Sequence, residues 1–215
     1  MTVDRLHIWQ TLFHRAIAIL DSACAAGMPD DWSFGGGTVL MLDYHHRFSK
    51  DVDIFVPDPQ YLGFLTPRLN DRAEVGTHGY DEQSNALKIY YAEGEVDFVA
   101  AGPVSASSYA MRDILGRRIR VETPLEIVAK KIKFRAADFK ARDLFDLAMV
   151  LDRVADTRPA LVALIQRQQS LLRERFVSRD TELREDFAAI DVLDYTPSFD
   201  ACLQCVEDTA GIRLR

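Results

Sequence analysis

Cysteine is scarce in this chain, and three in 215 residues give no disulfide framework and suit a reducing compartment such as the cytoplasm. No apolar run approaches the about 20 residues that cross a bilayer, so no membrane contact is expected. The opening MTVDRLHIWQTLFHRAIAIL carries Asp4 and Arg5 early and has no unbroken apolar core, which is unlike a signal peptide. Neither a Walker-type loop nor a Gly-x-Ser-x-Gly turn occurs, and the P-loop and hydrolase readings have nothing to rest on. Internal repeats and low-complexity linkers are missing as well. There is no basic excess: the net charge is −7 and the pI near 5.2, unlike a protein that coats nucleic acid. What is present is globular. Hydrophobic residues at 48% and charged residues at 27% argue against disorder, and the length allows one large or two small domains.

The most informative stretch runs from Gly36 to Asp53, GGTVLMLDYHHRFSKDVD. A glycine turn leading into a helix offers backbone N–H groups to a phosphate. Asp51 and Asp53 stand at i and i+2 on a strand continued by Ile54, Phe55 and Val56, so both carboxylates point to one side. Such a pair is a ready oxygen ligand set for a hard cation such as Mg²⁺. Two such cations about 4 Å apart can serve the attacking and leaving oxygens of a phosphoryl centre.

Along the chain, residues 5–27 read as an amphipathic helix, with Leu6, Trp9, Phe13, Ile17 and Leu20 at helical spacing. Residues 32–34 suit a short strand, 38–45 a helix, 51–56 a strand and 60–69 a further helix. Residues 86–92 and 95–100 suit a hairpin turning at Glu93-Gly94. Asp97 lies among Val96, Phe98 and Val99, where a carboxylate is costly unless paired or bound to metal. Thr123-Pro124-Leu125-Glu126 reads as the capped start of a helix to about residue 135. A second helix, 142–153, puts Asp143 and Asp146 on one face, and the remainder reads as three or more helices. The division expected is an α/β core over 1–122 and a helical part over 123–215. Between Arg112 and Arg142 ten Lys and Arg stand against four acids, a local balance suited to a triphosphate or one RNA end.

The run Gly36, Gly37, Thr38, then His46, Arg47, Ser49, Asp51 and Asp53, resembles the nucleotidyltransferase superfamily and most of all its AbiEii-like toxins. Downstream, Lys131 and the block Arg142, Asp143, Asp146, Leu147 complete the resemblance. It implies an α+β fold with a polymerase-β-like mixed sheet flanked by helices, and a helical C-terminal part that completes the active site. It also implies a Mg²⁺-dependent nucleotidyltransferase that moves an NMP from an NTP to an acceptor hydroxyl, with RNA such as tRNA as acceptor and an antitoxin as partner. Asp51, Asp53 and Asp97 would hold metal, with Asp97 also helping to take the acceptor proton. Gly36, Gly37 and Thr38 would hold the triphosphate, and Arg47 and Ser49 would touch phosphate or orient Asp51. Lys131 would face the outer phosphates; Lys130 has similar spacing, but Lys131 precedes Ile132 as the family's lysine precedes an aliphatic residue. Asp146, or Asp143, would orient that lysine or the base.

Other readings stay open. A small molecule such as an aminoglycoside, or a protein hydroxyl, could be the acceptor, and a catalytically silent nucleotide-binding module is the non-enzymatic alternative. His45-His46 and the Cys202-x-x-Cys205 pair lack further ligands and do not read as zinc sites.

Overall fold

The computed structural model describes residues 5–215; residues 1–4, the start of the segment tested for a signal peptide, lie outside the described residues. The chain divides into two compact units. The first comprises the chain up to Leu42, then Ser49–Pro103 and Tyr109–Glu122; the second comprises Asp43–Phe48, Val104–Ser108 and Thr123–Arg215. The short segments 43–48 and 104–108 thus belong to the second unit.

The first unit is a mixed α/β fold, as expected. Its strands are β1 (Ser33–Gly35), β2 (Val52–Val56), β3 (Gly79–Glu82), β4 (Ala86–Tyr91), β5 (Gly94–Ala100), β6 (Tyr109–Ile114) and β7 (Arg117–Glu122). They form one sheet in the order β3-β4-β5-β2-β1-β7-β6. The pairs β2–β5 and β1–β7 are parallel, and the others antiparallel. Alternation gives the sheet two unlike sides. Val52, Ile54 and Val56 are buried, as are Val96 and Phe98, and helix α1 (Ile8–Ala25) covers them. Trp9 and Phe13 of α1 set their rings 6.3 and 5.2 Å from Phe34 of β1; burying each such side chain stabilises by about 1.5–3 kcal/mol. Asp53 and Asp97 fall at the alternate positions, on the other side.

Helix α2 (Gly36–Tyr44) begins inside the glycine turn itself. The helix expected over 60–69 is cut short: a 3₁₀ turn at Pro59–Tyr61 leads to α3 (Leu62–Leu65), and Thr66 is extended at φ −66°, ψ 139°. Pro67 follows, and a residue ahead of proline is pushed out of the α region. Asn70 then caps the one-turn α4 (Asp71–Glu74). Strands β3, β6 and β7 were not expected. β3 and β6 are largely exposed, and only Ile119 and Val121 mark the inner side of β7 between arginines.

The second unit is helical: α5 (Pro124–Arg135), α6 (Ala141–Arg153), α7 (Arg158–Arg167), α8 (Gln169–Ser178), α9 (Asp180–Ala188) and α10 (Phe199–Ala210). Thr123 caps α5 by accepting the Glu126 N–H at 3.2 Å. Helix α6 is buried on nearly all sides, and Phe145 packs 5.6 Å from Phe187 and 5.4 Å from Tyr195. Residues 45–48 pair with 191–194 through backbone bonds such as Phe48 N–H to Asp191 O at 2.8 Å. The backbone N–H groups of Val104 and Ser105 donate to the Glu126 carboxylate at 2.8 and 2.7 Å.

Candidate active site

In the first unit, the parallel register of β2 and β5 sets Asp53 opposite Asp97, and the antiparallel register of β4 and β5 sets Lys88 opposite Asp97. Partners in register share a face, with Cβ atoms about 5 Å apart. Burial pushes the Asp97 carboxyl up to about 7, the nearby negative charge of Asp53 adds to the rise, and Lys88 partly opposes it. Lys88 Nζ lies 3.2 Å from Asp97 Oδ2 and also bonds Glu95. Burial works against the Lys88 charge, yet those two carboxylates hold its pKa above the usual value. Asp97 Oδ1 is buried with no hydrogen-bond partner among the described residues.

The glycine turn lies against this carboxylate pair. Gly36 has φ +76°, and a Cβ at that position would fall on the Asp53 carboxylate. A Cβ on Gly35 would likewise meet Glu122, whose Oε1 accepts from Ser33 Oγ at 3.0 Å. Thr38 is fully buried. Its hydroxyl donates to Asp51 O at 2.5 Å and shares a hydrogen bond with Ser49 Oγ at 3.1 Å, which ties the first turn of α2 to the start of β2. Asp51 Oδ1 accepts the Glu95 N–H at 3.1 Å.

The residues fit a divalent cation by their chemistry. Asp53 and Asp97 are hard oxygen donors in register, and one Asp97 oxygen is buried and unmatched, a costly state that a cation relieves. With Asp51 turned to Glu95, no group of three or more His, Cys, Asp or Glu among the described residues is gathered as ligands.

In the second unit a buried ionic cluster centres on Asp146. Lys131 Nζ of α5 donates to Asp143 Oδ1 and to Asp146 Oδ2, each at 2.6 Å. Arg47 grips Asp146 with Nε at 2.6 Å and Nη2 at 2.8 Å, a bidentate pair. His46 Nε2 lies 2.8 Å from Asp146 Oδ1, and Arg135 Nη2 3.3 Å from Asp143 Oδ1. Burial raises the cost of ionising Asp146, but the charges of Arg47 and Lys131 outweigh it and hold the carboxyl well below its usual range. Asp143 is lowered in the same way, burial being overcome by Lys131 and Arg135. Burial lowers the pKa of His46 and outweighs the opposing pull of Asp146. The bond to Asp146 assigns the ring proton to Nε2 and leaves Nδ1 buried without a partner among the described residues. Lys130 pairs with Glu126 at 3.7 Å, whereas Lys131 joins the two aspartates.

Residues 18–208 match the family described as Nucleotidyl transferase AbiEii toxin, Type IV TA system. The chain belongs to the AbiEii family of nucleotidyl transferase toxins. It is a nucleotidyltransferase, and the family implies an NTP substrate and an antitoxin partner. No curated protein matches the chain significantly. Among solved structures it is similar to MenT4, a nucleotidyltransferase toxin of Mycobacterium tuberculosis, at 18% identity over 91% of this chain and 80% of that one, with a TM-score of 0.51. JHP933 of Helicobacter pylori is also similar, at 18% identity over 94% of this chain and 90% of that one, TM-score 0.47. At such identities the MenT4 likeness is one of fold.

For this AbiEii-family chain, the residues expected at the site fall into separate groups. Asp53, Asp97 and Gly36 come together on β2, β5 and the turn, while Thr38, Ser49 and Asp51 form a second contact beside them; Gly37 is in the same first turn of α2. Arg47, Lys131 and Asp146 come together in the second unit. Reading by sequence missed Lys88, Glu95 and Glu122, whose place depends on strand register, and His46 as a partner of Asp146. His45 bonds Asp194 instead, at 2.9 Å. The ten cations between Arg112 and Arg142 are not one free basic face. Lys130 and Lys131 are buried, Arg117 bonds Asp21, Arg118 pairs with Asp113, and Arg135 pairs with Asp143. No described helix is long and apolar enough to cross a membrane.

Proposed function

We propose that this protein is a Mg²⁺-dependent toxin of the cytoplasm that transfers an NMP from an NTP to the hydroxyl of an RNA such as tRNA, under restraint by an antitoxin. The observation that carries the reading is the Asp53–Asp97 register beside Gly36. Asp51, Asp53 and Asp97 would hold the metal, Asp51 by releasing the Glu95 amide. When bound, the cation supplies Lewis-acid polarisation and neutralises phosphate charge.

The chain's own residues do the rest. The first-turn N–H groups at Gly36, Gly37 and Thr38 lack helical acceptors and would bind triphosphate oxygens. Thr38 and Ser49 would hold that turn on the strand carrying Asp51 and Asp53, and Asp97 would help to take the hydroxyl proton. Lys131 would meet the outer phosphates as a compact charge. Asp143 and Asp146 would position its ammonium, with Arg47 and His46 fixing Asp146.

RNA is favoured as the acceptor because a toxin must modify something growth depends on, and RNA of translation meets that need. The test supplies Mg²⁺, each α-³²P-labelled NTP in turn, and total tRNA, with Asp51→Ala/Asp53→Ala as control. Label on RNA that the control lacks is the expected result. Unlabelled RNA overturns the RNA reading, and label on an aminoglycoside or protein would then name the acceptor class.

A further inference from the structure

The second unit holds a cavity of about 390 Å³ beside the Arg47–Asp146 pair. Its wall is formed by Arg47 and Phe48, by Lys140 and Arg142 at the start of α6, and by Asp186 and Asp191 from the end of α9 and beyond. The volume lies within the range of small-ligand sites, about 300–1,000 Å³. In a chain of net charge −7, the lining holds Lys140 and Arg142 beside Arg47, whose guanidinium is committed to Asp146, together with the carboxylates of Asp186 and Asp191. Lys140 and Arg142 are exposed, and their side chains make no hydrogen bond or ion pair among the described residues. Helix α6 starts here, and the partial positive charge of its first turn adds to theirs. The acid that would offset it, Asp143, is drawn inward by Lys131 and Arg135 and accepts the Lys140 N–H at 3.2 Å.

Two carboxylates, Asp186 and Asp191, and the side chain of Phe48 also line the cavity. Cations, carboxylates and an aromatic residue in one lining complement a phosphate, the hydroxyl and amino donors of a nucleoside, and a base. We propose that this cavity binds one nucleotide unit, with its phosphate on Arg142 and Lys140 and a ribose or base donor on Asp186. Such binding needs no metal and rests on the second unit alone, so it stands or falls apart from the transfer reading. The same chemistry is offered by a free mononucleotide and by the end of an RNA strand.

The experiment is equilibrium dialysis of the whole protein in EDTA against labelled AMP, CMP, GMP and UMP, the unphosphorylated nucleosides, and a 5′-phosphorylated trinucleotide. Saturable binding of a phosphorylated ligand is expected, weakening as KCl is raised. Arg142→Ala and Lys140→Ala should each weaken it about tenfold or more, because each removes a charge-assisted bond to phosphate. Both side chains are exposed, and unchanged thermal midpoints would show that the variants fold. Tighter binding of the mononucleotide identifies a free-nucleotide site, and tighter binding of the trinucleotide identifies an RNA end. The proposal is overturned if no phosphorylated ligand binds in EDTA. It is equally overturned if nucleosides bind as well as nucleotides, or if both variants bind like the wild type. Loss of Mg²⁺-dependent transfer in Asp53→Asn with EDTA binding intact would separate the two readings.

Discussion

Gly36 is required twice over, once by its backbone and once by its neighbour. Its φ of +76° lies in the left-handed region, and a Cβ would displace the Asp53 carboxylate. Gly27, at φ +105° with nothing within 4 Å, has only the first constraint. Gly36→Ala should therefore destabilise the fold by more than Gly27→Ala does, beyond the about 1–3 kcal/mol of backbone strain they share, and should also abolish transfer. Equal unfolding midpoints in urea would contradict that. His46 gives a prediction in pH. Its folded pKa is lowered by burial, so as pH falls below the ordinary value of about 6.5 the unfolded chain binds the proton first and the fold loses stability. Asp97 works in the opposite sense: raised to about 7, it keeps a proton that the unfolded chain has released between about pH 4 and 7, so it favours the fold as pH falls. The informative quantity is thus the difference between wild type and His46→Gln, whose amide can still donate to Asp146. Stability of the variant should fall less steeply from pH 7 to 5; parallel curves would show that His46 is not buried neutral.

At the scale of elements, helices α5 and α6 are joined through charge as well as packing. Asp146 accepts from His46, Arg47 and Lys131 with no exposure of its own. Asp146→Ala leaves the buried Arg47 without its bidentate carboxylate and Lys131 with Asp143 alone, and should cost about 3–5 kcal/mol. Asp143→Ala should cost less, because Arg135, its second partner, is 38% exposed and can turn to water. Chemical denaturation of the two variants checks the order. These helices were legible in the sequence because Thr123-Pro124 marks a start and the apolar spacing is helical. Strands β2, β4 and β5 were legible as short apolar runs. Strands β6 and β7 were not, since their outer positions carry Arg112, Arg118 and Arg120, and the apolar alternation is too short to show. Glu122 was therefore invisible as a neighbour of the glycine turn. Residues 45–48 read as the end of the helix over 38–45 and a loop to β2, because sequence adjacency gives no sign that they pair with 191–194 within the second unit. Asp53 and Asp97 were each legible as unusual carboxylates, but their opposition is a matter of register, which appears only when both strands are placed in one sheet.

At the scale of the molecule, an acidic chain assigns its charges to distinct tasks. Carboxylates collect on the side of the sheet away from α1, beside the glycine turn, and a second set is neutralised inside the helical unit. In the proposed function, Asp53 and Asp97 form the cation-binding centre of nucleotidyl transfer. Its most direct test is pyrophosphate release from each NTP in the presence of total RNA, followed as Mg²⁺ is titrated into EDTA-treated protein. Wild type should release pyrophosphate only as Mg²⁺ is restored. Asp53→Asn and Asp97→Asn, folded by circular dichroism, should be slower by about two orders of magnitude or more. Release at the wild-type rate in either variant, or without any divalent cation, would contradict the assignment.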